Sequence, residues 1–472
     1  MTRCNLMASA NWPACIRTMR PLAPDAPTSY APRERLGSAP LPPALAGPLS
    51  QPPRVFGVKI HCTTRAAHHT ASALRDALAS VGPEETAFYW RSPEGEMLVA
   101  DRLLHSWEVG AGDRFAQSQA ALDEARAHFV EATDGSPARG LRLLGGLAFA
   151  PEVASEWSAF GAGRWLLFGR IRGITEGFAW EQVLRLDSPP ALSLADASAV
   201  LDAPPAPYAD RLTAAVESCR RGELEKLVVA SWTDAPVSSS VTPATIVTAL
   251  DARFAACTTY ALLAAGACFV GATPELLLAT EGESLRTVAL AGSAPRGRDE
   301  AADALQMAAL RRSEKDLREH CIVRDDIFVR LGPLATHITM GVAPAVWTLP
   351  NIFHLRTPIS GLLQPGVTPL SVAAALHPTP AVCGAPRAAA AARLATEEGG
   401  ARGWYAGAIG WLAGSGDLEL VVALRCALLR GNSARLFAGV GVVAASEVTA
   451  ELTETESKLA AMRGALGLTE AH

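Results

Sequence analysis

No run of about 18 or more uncharged apolar residues occurs in the 472-residue chain, so no segment reads as a membrane-spanning helix. There is no basic block and the formal net charge is −5, which removes the electrostatic footprint of a nucleic-acid or anionic-membrane binder. The nine cysteines are scattered, odd in number and without a CxxC pair. That argues against a disulfide framework or a zinc site and fits reduced thiols in the cytoplasm. No internal repeat is present. What remains is 49% apolar and 19% charged, the composition of a globular chain with an ample core. Its length allows one large or two to three ordinary domains.

Residues 1 to about 53 are rich in Pro, Ala, Ser and Arg, and their only acids are Asp25 and Glu34. Neither a helical nor a strand period survives there, so a disordered extension is expected, with a transit peptide or a misassigned start codon as alternatives. From Val55 the texture changes. Strands are expected at 54–60, 86–90, 96–100, 142–149, 164–170 and 181–186, with helices at 70–80 and 115–133. The stretch 187–207 reads as a Pro/Ala/Ser-rich linker. Beyond it the pattern predicts a helix at 210–223, strands at 224–231, 267–271, 285–294, 418–424 and 435–443, and a mostly helical segment at 299–331. Long strands with inserted helices predict an α+β fold with large antiparallel sheets.

The residues able to carry chemistry lie in the second half. The run 435–443 is interrupted by Gly439 and Gly441. Such glycines bring backbone N–H groups to an anion or mark a bulge. The helix that follows, to about Arg463, puts Glu451, Glu454 and Lys458 at spacings of three and four on one face. The plainer reading of that face is a surface Glu–Lys pair. Glu319 shares a helix face with Lys315 and Asp316 and alone reads as a solvated acid. Together with Glu451 and Glu454 it offers three hard oxygen donors suited to Mg²⁺. Lys226 opens an otherwise apolar strand. It either snorkels to solvent or is buried with a lowered pKa, where it could act as a general base. Glu275 follows a proline at a strand end and is either a turn residue or a general acid beside a pocket. Arg425 follows another apolar strand, as a carboxylate grip or a sheet-edge salt bridge. His354 and His377 each precede a Pro-containing turn and read as structural histidines.

These blocks occur in a recognisable order: EKLVVAS around Lys226, FVGATPELLL around Glu275, LAGSAPRG, SEKDLREH, HLRTPISG, LHPTPAVCGAPR, RGWYAGAIGW, ALRCA, FAGVGVV and ELTETESK. In that order they resemble the chorismate-utilising enzymes, in particular the isochorismate synthases that feed siderophore, salicylate or menaquinone pathways. The resemblance is close from about Tyr208 to the C-terminus. It is weaker upstream, through FYW (88–90), LLGGLAFAP and EWSAF. It implies a single domain over 54–468, with a weakly matching half at 54–200 and a catalytic half at 208–468. The implied fold is two large, mostly antiparallel sheets packed together, with helices outside and the active site between. The linker would then be an internal loop.

By the same resemblance Lys226 matches the base that activates water for attack at ring C2, and Glu275 the acid that protonates the departing C4 hydroxyl. Glu319 and Glu454 match ligands of Mg²⁺, with Glu451 close by. Arg425, Lys458 and the amides around Gly439 and Gly441 match the grip on the substrate carboxylates, and His354, Ala291, Gly292 and Tyr405 match the pocket wall. Ala291 stands where aminodeoxychorismate synthases often carry a nucleophilic lysine, so water is the expected nucleophile. No glutaminase-like nucleophile block is present. Ser231, Leu276 and Cys383 depart from the family pattern without removing a catalytic group. The resemblance implies chorismate as substrate, no nucleic-acid or membrane partner, a monomer and a cytoplasmic location. The alternatives are a salicylate synthase, an anthranilate synthase component and a catalytically silent chorismate-binding protein.

Overall fold

The strand Gly163–Thr175 carries the apolar run 165–168 and is buried on both faces over its first seven residues. That pattern belongs to the interior of a sheet, and the strand is long enough to serve two sheets at once. In the computed structural model, which describes residues 58–133, 140–187 and 206–468, it pairs with Met97–Glu108 along one edge. On its other edge it pairs with Arg142–Leu147 and then with Phe178–Leu186. Two wings grow from this hub. One runs through Ala87–Arg91, Thr258–Ala264, Ala267–Thr273, Cys426–Arg430, Ser433–Val442 and Lys226–Pro236 to the short strand Gly384–Ala385. The other runs from Arg142–Leu147 through Ala408–Ala413, Leu418–Val422, Leu276–Glu281 and Ser284–Pro295 to Ile352–Leu363. The two expected sheets are thus two wings of one hydrogen-bonded network, and helices pack onto them, giving an α+β fold. The described residues form one compact unit.

Some sequence expectations move. The helix expected at 115–133 ends at Ala127, and Phe129–Thr133 becomes a strand parallel to Ile60–Thr64. Phe129 and Val130 suit a pleated strand, and pairing with Ile60–Thr64 overrides the helical period. The segment 299–331 is two helices, Glu300–Arg312 and Glu314–Leu331, because the Ser313 hydroxyl accepts the Asp316 N–H and caps the second. The C-terminal helix, Val448–Ala465, runs through Gly464. The extension 1–53 and linker residues 188–205 lie outside the described residues. Among those described, no helix is long and apolar enough to cross a membrane.

The upstream half is fastened to the downstream half by EWSAF. Trp157 is fully buried, with its ring 5.3 Å from that of Phe269 and 5.6 Å from that of Phe437. Glu156, also fully buried, accepts two hydrogen bonds from Arg435 Nη1 at 2.8 and 2.7 Å, while Asp234 takes the other side of the guanidinium. Removing one member of a buried pair strands the other charge. Glu156→Gln is therefore expected to lower unfolding free energy by roughly 3 kcal/mol. Denaturant midpoints check this, and an unchanged midpoint would show that the pair adds nothing.

Candidate active site

Strand Ser433–Val442 lies antiparallel to Lys226–Pro236 with unbroken register, setting Gly441 opposite Val228 and Gly439 opposite Ala230. The bulge reading of these glycines is therefore wrong. What they supply is room. A Cβ on Gly441 would sit 2.5 Å from Lys226 Cε and 2.6 Å from Glu319 Oε1, and one on Gly439 would sit 2.8 Å from the Tyr405 hydroxyl.

Lys226 does not snorkel. The strand Gly384–Ala385 covers the edge on which it begins, and its side chain is 0% exposed. Its Nζ lies 2.9 Å from Glu319 Oε1, close enough for an ion pair but not aligned as a hydrogen bond, so the ammonium keeps unsatisfied donors. Glu319 is not a solvated acid either. Its helix packs on strand Ser284–Pro295, and it is only 8% exposed.

Glu275 sits after Pro274, between strands Ala267–Thr273 and Leu276–Glu281, and is 4% exposed. The Thr379 hydroxyl donates to its Oε1 at 3.4 Å. Burial pushes its carboxyl up to about 7, against the opposite pull of Lys226, Thr379 and Lys458. Ala291 and Gly292 fall where strand Ser284–Pro295 slips register between Leu290 and Ser293. Gly292 has φ +80°, and a Cβ there would meet Asp316 at 3.1 Å. Arg425 also has a left-handed backbone, φ +46°, a strain of about 1–2 kcal/mol that fixes the direction of its side chain. Its Nη2 donates to His354 Nε2 at 2.8 Å. Lys458 Nζ donates to the Gly439 carbonyl at 2.9 Å and pairs with Glu454 at 2.8 Å. Tyr405 stacks on Phe437, with centroids 5.4 Å apart.

One cleft with about 740 Å³ of empty space brings Glu275, Ala291, Glu319, Arg425, Glu454 and Lys458 together. Gly292, His354, Tyr405, Gly439 and Gly441 also face it, whereas Lys226 stands behind Glu319. Glu451 is not on its wall. That carboxylate is 1% exposed and takes Lys315 Nζ at 2.6 Å. His377 donates from Nε2 to the Ala406 carbonyl, and burial lowers its pKa to about 3, as in a neutral structural histidine.

The donor set fits a hard divalent cation in chemistry. Two carboxylates, Glu319 and Glu454, open on the cleft, and Mg²⁺ commonly takes one or two with waters and an anionic substrate. The expected group of three is not formed, since no three metal-ligating side chains converge among the described residues. Positive charge is already drawn to the place. Burial alone would lower the pKa of Lys315, yet Glu451, with Glu319 and Glu454 behind it, raises it well above the ordinary range. Sequence reasoning noted Lys315 and Asp316 on the Glu319 face but assigned them nothing, and it overlooked Ser293 and Thr379. The signal for the last two was their place in LAGSAPRG and HPTP, beside residues that were chosen.

A family model described as chorismate binding enzyme matches residues 179–467. The chain is 37% identical over 354 residues to the salicylate biosynthesis isochorismate synthase of Pseudomonas aeruginosa, covering 69% of this chain and 74% of that protein. It is 41% identical over 200 residues to isochorismate synthase DhbC of Bacillus subtilis, covering 42% of this chain and only 50% of the relative. The solved structure of MenF, the menaquinone-specific isochorismate synthase from Escherichia coli, superposes with a TM-score of 0.69 at 25% identity over 87% of this chain and 95% of that one.

Two predictions follow from the geometry. Gly441→Ala pushes a methyl into the Lys226–Glu319 contact, so turnover is expected to fall at least about ten-fold with little change in melting temperature. Wild-type kinetics in that variant would show that the contact is not needed. The folded chain binds the Glu275 proton more tightly than the unfolded chain does. That contribution to stability is full below about 4.5 and lost as pH rises to about 7. Glu275→Gln mimics the protonated form and should gain on the order of 3 kcal/mol relative to wild type between pH 5 and pH 8. Identical pH dependence in denaturant unfolding would contradict the assignment.

Proposed function

Because the chain belongs to the chorismate binding enzyme family, we propose that it converts chorismate to isochorismate, adding water at ring C2 and releasing the C4 hydroxyl. One observation carries this reading: Glu275, a carboxyl held near neutrality, lines the cleft, and Lys226, a buried amine close enough to bias it, stands directly behind Glu319 on the cleft wall. Water is a poor nucleophile and hydroxide a poor leaving group, so a base and an acid are both required. Lys226, in its neutral amine form, would take the proton from the attacking water. Gly441, which lines the cleft, leaves the room that the lysine Cε occupies. Glu275 would deliver its proton to the departing oxygen, since a carboxyl with a pKa of about 7 is still substantially protonated at neutral pH.

The substrate is a dianion, and stripping water from it costs several kcal/mol unless charge is matched. Arg425, pinned by its backbone and by His354, offers its remaining N–H groups to one carboxylate. Lys458 stands at the other side of the Gly439 carbonyl. Mg²⁺, when bound, would be held by Glu319 and Glu454, with Glu451 nearby, and would supply charge neutralisation at the second carboxylate. Ala291 leaves no side-chain nucleophile at its position, which supports water. The product would serve siderophore, salicylate or menaquinone synthesis, the last two being settings named for its relatives.

Purified protein given chorismate and Mg²⁺ is expected to form isochorismate and no salicylate. EDTA should stop the reaction reversibly. Lys226→Ala should lower kcat by about a hundred-fold or more while the circular dichroism stays unchanged. Absence of isochorismate from the wild-type reaction would overturn the assignment.

A further inference from the structure

We propose that Lys315 is a positioning residue that keeps Glu451 out of the cation's shell, so that the cleft offers a divalent ion two carboxylates and not three. The inference rests on the reading of the cleft given above and gives a role to a lysine that had none. Lys315 stands four residues before Glu319 on helix Glu314–Leu331, and Glu451 stands three before Glu454 on helix Val448–Ala465. Each therefore shares a helical face with an acid that opens on the cleft. The first helix packs on strand Ser284–Pro295 and the second on strand Ser433–Val442, which belong to different wings. Lys315 bridges the two helices. Its Nζ donates to Glu451 Oε1 at 2.6 Å, and Glu451 is 1% exposed. Neither residue lies on the cleft wall.

Residues three apart on a helix have Cβ atoms about 5–6 Å apart, so a change of rotamer would carry the Glu451 carboxylate to a cation held by Glu454. A carboxylate buried so deeply needs a counter-charge, and the Lys315 ammonium is the one in contact with it. Take that ammonium away and the acid turns to the metal ion. The consequence reaches the substrate. Two carboxylates balance a divalent charge. A third would leave the filled site with a net negative charge facing a dianion, and like charges in a poorly solvated cleft repel strongly. It would also take a place in the ion's octahedral shell that water or a substrate carboxylate otherwise fills. Through one ion pair, Lys315 lowers cation affinity and raises substrate affinity.

The test uses the full chain with Lys315→Met, Lys315→Arg and the double variant Lys315→Met/Glu451→Gln. Mn²⁺ is the probe. Its dissociation constant comes from calorimetry without chorismate, and water-proton relaxation counts the waters left on the bound ion. Lys315→Met should bind Mn²⁺ roughly ten-fold more tightly with fewer bound waters, and should raise KM for chorismate roughly ten-fold with a smaller change in kcat. Lys315→Arg keeps the ion pair and should match wild type in every readout. The double variant leaves no buried charge unpaired, so it is the arm to read if Lys315→Met does not fold. It should return affinity and hydration to wild-type values. Weaker or unchanged Mn²⁺ binding in Lys315→Met, tighter binding with no loss of bound water, or no Mn²⁺ binding by wild type would each overturn the proposal. So would a double variant that binds Mn²⁺ more weakly and with extra water, since Glu451 would then already be a ligand. The Mn²⁺ measurements need no turnover, so failure to make isochorismate would sink the catalytic reading while these arms still judge Lys315.

Discussion

The site depends on a lysine kept out of water. Lys226 opens its strand at full burial, with Glu319 as its nearest counter-charge and no aligned hydrogen bond. A buried ammonium in that condition is costly, and it persists only because the surroundings fix it. Three separate features do so. Strand Gly384–Ala385 closes the edge, Gly441 makes the space, and the helix Glu314–Leu331 delivers the carboxylate. Each is placed by long-range sheet pairing, so assembly of both wings is what places the amine.

Around that amine the charges are arranged in lysine–carboxylate pairs. Lys226 meets Glu319, Lys315 meets Glu451, and Lys458 meets Glu454. Pairing keeps the concentrated acids from repelling one another in a poorly solvated place. Glu275 is the exception. It has only a long hydrogen bond from Thr379, and burial raises its carboxyl so that it retains a proton toward neutral pH. The difference in partnering separates the acids suited to holding cations from the one suited to giving up a proton.

Much of this was legible in the chain. The order of motifs pointed to the family and hence to the fold, and Glu275, Arg425, Glu454 and Lys458 were all singled out and all line the cleft. Burial was the quantity that sequence could not provide. Lys226 read first as a snorkelling lysine because nothing nearby in sequence reveals that residues 384–385 cover its edge. Glu319 read as a surface acid because its helix is polar overall, and the packing against Ser284–Pro295 is invisible to a helical period. Glu451 shares a helical face with Glu454, yet Lys315 from another helix claims it. Ser293 was missed because its partner is chosen by a register slip, a property of two strands together.

The most direct test of the account is to run the reaction in ¹⁸O-labelled water and locate the label in the product. If a lysine-activated water attacks the ring while Glu275 discharges the original hydroxyl, the C2 oxygen of isochorismate carries the label. Product formed without solvent oxygen at C2 would contradict that chemistry.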